Sequence, residues 1–270
     1  MATFGNGRRV AIVAGVRTPF AKAGTAFKSI SAIELGKLCV AELLQRTNLD
    51  GKEVQALVFG TVIPSVVAPN IAREVAQGMP AATVIACADG TRAAAARGRI
   101  SGPRLRAYTN EDVIGVEVGG AIKNVIAIGT GICDGLEAGD NAKAAIITRG
   151  LAEMTRLGVA MGARAQTFSG LTGLGDLVVT CSSPHSRNRQ LGIGIGTGKT
   201  LEELESNMTM VAEGVNTTRE ALRLGKQLGV ELPITEAVAE ILFEKADPMH
   251  VAIRLMQRTG RSESEGLGLS

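Results

Sequence analysis

The 270-residue sequence predicts an α/β amino-terminal portion followed by an all-helical domain, and three observations carry that reading. Short apolar runs bounded by turn residues, at 9–16, 54–63 and 82–87, have the length and composition of buried strands. From Asn110 almost to the end, apolar residues recur at helical spacing. Glycine is abundant, at 34 residues, while the aromatics are six Phe and one Tyr with no Trp. Such a composition implies backbones in close approach, or backbone kept clear for a ligand.

Taken in order, 9–16 and 54–63 read as strands. Between them Ile33, Leu35, Leu38, Leu43 and Leu44 place an amphipathic helix over Ala32–Arg46, so the first 76 residues look like the start of a βαβ unit. A strand over Ala82–Cys87, an Ala/Arg helix near Arg92–Arg97 and a strand over Arg104–Tyr108 follow. Asn110, with Glu111 and Asp112 behind it, is a helix start: a capping side chain, then acids at the positive end of the dipole. Over Asn141–Met161 the residues Ala144, Ile147, Leu151, Met154 and Met161 form one stripe, with Arg149 and Glu153 on the expected exposed flank. The glycine-rich run Gly192–Thr200 reads as a flexible turn before a helix at Leu201. It lacks the glycine spacing of a phosphate-binding loop, since Ile193 stands where that loop needs glycine. Thr217–Leu228 ends at Gly229, Pro233 opens a helix to Lys245, Pro248 opens another to about Gln257, and the polar tail beyond is a frayed end.

Composition excludes several chemistries. Seven aromatic residues are too few for a stacking platform for single-stranded nucleic acid. Two histidines, His185 and His250, leave little for multi-histidine zinc sites or Ser-His-Asp triads. A net charge of +3 without long runs of either sign gives no footprint for nucleic acid or an anionic membrane. The uncharged stretch Val54–Ala72 contains Pro64 and Pro69 and makes a poor spanning helix. Four scattered cysteines suit neither a metal pair nor a disulfide scaffold, and Met1–Val10 has no apolar signal core, so the expected setting is reducing and cytoplasmic. Cys87, among apolar neighbours, reads as a small core residue.

Three features carry chemistry. Lys123 sits among apolar and small residues, with Gly119, Gly120 and Ala127 on its helical face. A partly buried amine there would exchange protons; composition alone favours the plainer reading of a lysine reaching out to solvent. Asp176 and Thr180, four apart, share a face if their segment is helical. Ser182–Arg189 packs hydroxyls, an amide and two arginines into what reads as a loop able to clamp phosphate, or as a solvated basic turn. No G-x-G-x-x-G is present; after the first strand, where that fingerprint belongs, stand Ala14-Gly15-Val16-Arg17-Thr18-Pro19.

Two families are resembled. From Gln77 to about Gly260, through QGMPAATVIAC, YTNEDVIGVEVGGAIKNVIAIGTGICDGLEAGDNAKAAIITRGLAEMTRLG, GLGDLVVTC, SRNR, VAEGV and LPITEAV, the chain resembles the bacterial-type NAD(P)-dependent glycerol-3-phosphate dehydrogenases. From Arg9 to about Ala76, through RVAIVAGVRTPFAKAGTAFKSISAIELGKL and VQALVFGTVIPSVVAPNIAREVA, it resembles the amino terminus of a thiolase, an acetyl-CoA acyltransferase. Ala68–Ala76 is similar to a segment of both, which suggests a chimeric chain joined there.

The resemblance implies a truncated Rossmann-type region followed by an all-α domain of the 6-phosphogluconate dehydrogenase carboxy-terminal type. It divides the chain into 1–76, a dinucleotide-domain remnant 77–109, a helical substrate domain 110–260 and a tail 261–270. Lys123 corresponds to the catalytic lysine, the acid that protonates the carbonyl oxygen of dihydroxyacetone phosphate. Asp176 and Thr180 match positions near substrate, and Ser186, Arg187 and Asn188 match the substrate-phosphate loop. Arg187, Val211 and Glu213 match positions that meet NAD or NADP from the helical side. The family's fingerprint and a second substrate lysine belong to the replaced segment, so dehydrogenase activity is expected to be impaired. Other readings are a thiolase-related acyl-CoA fragment and a non-catalytic helical module that binds phosphate or self-associates through Gly119–Ile128. The expected partners are a small phosphate substrate and, through the helical domain, a second copy of the chain, with no nucleic acid and no membrane.

Overall fold

The computed structural model describes residues 2–3, 9–10, 32–48, 79–207 and 212–257. The chain divides into two compact units, Met1–Thr61 and Val62–Ser270. In the first, β1 (Ala2–Thr3) pairs antiparallel with β2 (Arg9–Val10), and α1 spans Ala32–Thr47, in line with the helix read over Ala32–Arg46. Its last turns are held by a Glu42–Arg46 pair at 2.6 Å, four residues apart on one face. Most of the 9–16 strand, all of 54–63, the 68–76 junction and the tail after Gln257 lie outside the described residues.

The second unit opens with β3 (Ala81–Ala86), α2 (Gly90–Ile100) and β4 (Leu105–Asn110). The two strands pair in parallel from Ala81↔Leu105 to Ala86↔Asn110, the βαβ arrangement that a helical crossover permits. Among the described residues this sheet has two strands. Asn110 is the last residue of β4 rather than a helix cap; its carboxamide accepts from the Asp112 N–H. Asp112 is the cap, because its carboxylate reaches three donors: the N–H of Gly115 at 2.9 Å, the N–H of Arg164 at 2.8 Å and the Thr167 hydroxyl at 2.7 Å. Burial alone would raise this carboxyl, and the three bonds hold it below the ordinary carboxylate range.

Asp112 starts α3 (Val113–Gly135), on which the rest is built. Ile122–Ile132 is buried without interruption. One side of α3 packs with α4 (Asp140–Ala160), α5 (Ala165–Phe168), α6 (Asp176–Ser182) and α9 (Glu213–Leu228) around Ile126, Met154, Leu157, Phe168 and Leu177. The other packs with α7 (Arg187–Gly196), α10 (Pro233–Phe243) and α11 (Pro248–Met256) around Val125, Ile128, Leu191, Val238 and Val251. A helix apolar all round belongs at the centre of a domain. α3 is long and apolar enough to cross a bilayer, yet it is the core helix of this one. Within Gly119–Ile128, the segment read as a self-association surface, Gly119 and Ile122–Ile128 are packed inside their own chain, Gly120 is half-buried and Ala121 is exposed.

Two expectations are corrected. Gly192–Gly196, read as part of a flexible turn, lies in α7, with the turn following at Thr197–Gly198 and α8 (Leu201–Asn207) after it. A Cβ on Gly192 would stand 2.2 Å from the Ile128 carbonyl oxygen, and one on Gly196 would stand 2.5 Å from that of Ile132. Opposite them, Gly131 and Gly135 are equally tight against the carbonyls of Arg189 and Ile193, at 2.1 and 2.5 Å. The glycines serve close helix contact, which tertiary packing sustains against glycine's weak helix propensity. Glu153, placed on the exposed flank of the α4 stripe, is 2% exposed. It accepts from the Ile234 and Thr235 N–H groups and the Thr235 hydroxyl, capping α10 across the domain because Leu232, at the cap position, has no side chain to do so. Burial nevertheless pushes its carboxyl up to about 7. The glycine and proline signals agree: α9 ends at left-handed Gly229, while Pro233 and Pro248 open α10 and α11; α9 begins at Glu213, ahead of Thr217, and α10 ends at Phe243 rather than Lys245.

Gly192→Ala should destabilise the protein by about 1–3 kcal/mol, because backbone faces the new methyl. Gly98→Ala, in α2 with open space around it, should stabilise by up to about 1 kcal/mol; urea unfolding of both variants measures this. For Glu153, the unfolded carboxyl ionises near 4.5 while the folded one keeps its proton to about 7. The folded state therefore binds more protons in that window, and stability falls as pH rises through it. Glu153→Gln should lose about 1–3 kcal/mol by facing an amide N–H towards a donor, and should flatten that slope in urea midpoints taken across the window.

Candidate functional site

The site gathers on the polar residues in the middle of α3. Lys123 is 1% exposed, so the solvent-reaching reading is wrong: its stem is enclosed and its ammonium pairs with Asp176 at the start of α6. Gly119, one turn before Lys123, packs against the Thr172 backbone of the π-helical turn Leu171–Gly175, which feeds directly into Asp176. The small residue on the Lys123 face thus brings the Asp176 helix in. Thr180 shares the Asp176 face, as its spacing requires; its hydroxyl donates to the Asp176 carbonyl at 2.6 Å and lies 3.5 Å from Oδ1.

Ser186, Arg187 and Asn188 open α7 rather than a loop. Ser186 is the cap, its hydroxyl oxygen accepting from the Arg189 N–H at 3.3 Å, so it is engaged in holding the helix end. Asn188 is 1% exposed. It donates to Asn124 Oδ1 at 3.0 Å and accepts from the Gly214 N–H at 2.9 Å, tying together α3, α7 and α9. Arg187 lies 3.7 Å from Glu213, the first residue of α9. Burial lowers the Arg187 guanidinium from its ordinary value, against Glu213, and raises the Glu213 carboxyl, against Arg187 and Lys123. Arg187 Nε is buried with no hydrogen-bond partner, the sole such side-chain atom among the described residues. Val211 lies outside the described residues.

The fold therefore brings Lys123, Asp176 and Thr180 together, pairs Arg187 with Glu213, and ties Asn188 to Asn124, the residue after Lys123. Sequence reasoning missed Asn124 and Asp134. Asn124 carried a signal, a second polar residue beside Lys123 inside an apolar helix. Asp134 binds Lys143 at 2.9 Å and Arg189 at 2.6 Å, locking α4 and α7 to the end of α3; three charges distant in sequence gave no such sign.

A nucleotide cofactor needs a helix amino terminus with free N–H donors. Among the described residues, the βα turn Cys87–Gly90 does not offer one. Asp89 occupies it, accepting from Thr91 and Arg92 N–H groups at 2.9 and 3.1 Å, and a Cβ on Gly90 would stand 2.7 Å from the Glu111 carboxylate. Two carboxylates at that turn repel a pyrophosphate, so it does not fit.

Comparison with known proteins agrees with the helical half of this picture. Residues 112–252 match the family model described as NAD-dependent glycerol-3-phosphate dehydrogenase C-terminus, and residues 10–96 match that of the thiolase N-terminal domain. The thiolase match thus runs past the junction expected at 76, through β3 and into α2. A glycerol-3-phosphate dehydrogenase [NAD(P)+] of Salinibacter ruber is 56% identical over 196 residues, 73% of this chain and 58% of the relative. One of Streptomyces coelicolor is 47% identical over 248 residues, 91% of this chain and 71% of the relative. The crystal structure of the Coxiella burnetii glycerol-3-phosphate dehydrogenase superposes with a TM-score of 0.66 at 42% identity, over 68% of this chain and 57% of that one. The chain thus spans less than two thirds of the length of some of these relatives. With a matching family model over more than half of its residues, and with the fold of its relatives, the chain belongs to the NAD(P)-dependent glycerol-3-phosphate dehydrogenase family.

Proposed function

We propose that the helical half holds a three-carbon phosphate, sn-glycerol 3-phosphate or dihydroxyacetone phosphate, and that the chain is an oxidoreductase of the glycerol-3-phosphate dehydrogenase type with impaired turnover. The observation that carries this reading is the buried Lys123, paired with the half-buried Asp176 and with Thr180 beside it. A buried ammonium held by a single carboxylate retains N–H donors for a substrate oxygen. Lys123 Nζ gives its proton to the carbonyl oxygen as that oxygen becomes a hydroxyl, and takes it back in the reverse direction. In a water-poor site this cation also stabilises the developing oxyanion. Asp176 positions the amine, and Thr180 steadies the first turn of α6 that carries Asp176.

Arg187 is the phosphate-side residue in this reading. Leaving a buried N–H unpaired costs about 1–3 kcal/mol, and an anion accepting from Nε would recover it. Ser186 and Asn188 fix the start of α7 so that Arg187 is presented; Glu213 balances its charge. Val211 and Glu213 remain the proposed contacts of a nucleotide from the helical side.

NAD(P) dependence is what the relatives' names state. The missing glycine fingerprint and the carboxylate-blocked turn at Asp89 support impaired turnover here. The thiolase match over 10–96 supports the reading of a joined chain. It does not favour thiol chemistry at Cys87, because both histidines of the sequence lie exposed in the helical domain. A cytoplasmic setting and a homodimer formed through a helical surface other than Ile122–Ile128 complete the proposal.

NADH oxidation with dihydroxyacetone phosphate tests it. The expected rate is near background in the full chain. A robust rate that Lys123→Ala abolishes would establish the lysine chemistry and overturn the impairment; a robust rate insensitive to Lys123→Ala would overturn the site.

A further inference from the structure

A second basic site lies on the small sheet, away from Lys123. Arg104, Arg106 and Tyr108 stand at alternate positions of β4 and the turn before it, so the pleat puts all three on one face. Ala107 between them is 5% exposed and points the other way. Together with Arg97 from the last turn of α2 and Ser101 from the following turn, they line a cavity of about 670 Å³. That volume lies within the usual range of small-molecule sites, roughly 300–1,000 Å³.

The lining takes in the entering ends of both strands, Pro80 and Ala81 beside Arg104 and Leu105, runs along β4 as far as Tyr108, and includes none of Asp89, Asn110, Asp112 or Lys123. Ligands of open parallel sheets sit beyond the carboxyl ends, and here that end leads through Asn110 and Asp112 into α3. This is therefore a different place from any dinucleotide crevice and from the Lys123 site.

Among the described residues its charge is uncompensated. Gly90–Asn110 contains five arginines and no acid. Arg92 pairs with Asp89 at 3.1 Å, whereas no ion pair joins Arg97, Arg99, Arg104 or Arg106 to an acid among the described residues. Part of this charge answers the carboxyl end of the α2 dipole, but that is worth only about half an elementary charge, against the three guanidinium groups of the lining, Arg97, Arg104 and Arg106. Like charges gathered around one concavity repel, and a multiply charged anion relieves the repulsion. Guanidinium forks grip phosphate oxygens two at a time. The Ser101 hydroxyl oxygen accepts from the Ala107 N–H at 3.3 Å, which leaves its own O–H to donate. Tyr108, 45% exposed with the Arg106 guanidinium 5.8 Å from its ring centroid, provides an aromatic wall.

We propose that this cavity binds a di- or triphosphate group, as the inorganic anion or as part of a nucleotide. Tyr108 is the only tyrosine of a chain without tryptophan, so tyrosine emission from the full-length protein reports on this cavity alone. Titration with tripolyphosphate at constant ionic strength should give a saturable change in that emission. Arg97→Gln and Arg104→Gln should each weaken the midpoint about tenfold, the loss of one charge-assisted contact. Arg99→Gln, outside the lining, should leave it unchanged. Calorimetry with ADP and pyrophosphate separates the two sources: equal affinity means that the phosphates alone are read, and tighter ADP binding means that the Tyr108 wall also takes the base. No saturable response to any of these anions, a response reproduced by chloride at matched ionic strength, or one untouched by both arginine substitutions overturns the proposal.

Discussion

The contact between α3 and α7, backbone on backbone, is the constraint from which the site follows. Ile128 faces Gly192 and Ile132 faces Gly196, and one turn earlier Asn124 meets Asn188. The offset is constant, so the two helices run side by side in the same direction and in register, one turn matching one turn. Glycine on both helices removes the side chains that would hold them a full diameter apart. Once that register is set, the start of α7 has one place to be: beside residues 123 and 124 of the core helix. The ion pairs of Asp134 with Arg189 and Lys143 fasten the same arrangement at the far end of α3.

That register also explains why buried polar groups are tolerated at the centre of the domain. Asn124, Asn188 and the Gly214 N–H satisfy one another, and Lys123 finds Asp176. A fully paired polar network rigidifies a core, whereas an unpaired member is costly. Against this background Arg187 Nε stands out. Its neighbours are held in place from three helices, and the group itself is left with hydrogen-bonding capacity to offer an anion.

Much of this was legible in the sequence, and the failures have physical causes. The helices that begin at Pro233 and Pro248 or end at Gly229 were readable because proline and glycine act locally. Asp176 and Thr180 were paired by spacing alone. Gly192–Gly196 misled because a glycine run carries no local sign of what packs on it; only the facing Gly131 and Gly135 make it helix. Glu153 misled because periodicity assigns a charge to the outside, while the demand for a carboxylate inside came from α10, some eighty residues away. Lys123 was singled out for its small-residue face, but its burial depended on Asp176 arriving from another helix. The resemblance to the dehydrogenases drew these positions together as one site, which no local pattern could have done.

The helical half and the amino-terminal half of the chain thus stand in different relations to the family. The former keeps the lysine paired with its carboxylate and fastens the arginine-bearing helix end to Asn124 beside it; the latter has no glycine fingerprint and places carboxylates at its described βα turn. The central claim is that substrate recognition persists without a cofactor cradle. Calorimetric titration of the full chain with sn-glycerol 3-phosphate and, separately, with NADH tests it most directly. The account predicts saturable binding of glycerol 3-phosphate and none of NADH. Tight NADH binding, or a chain that ignores glycerol 3-phosphate, would contradict it.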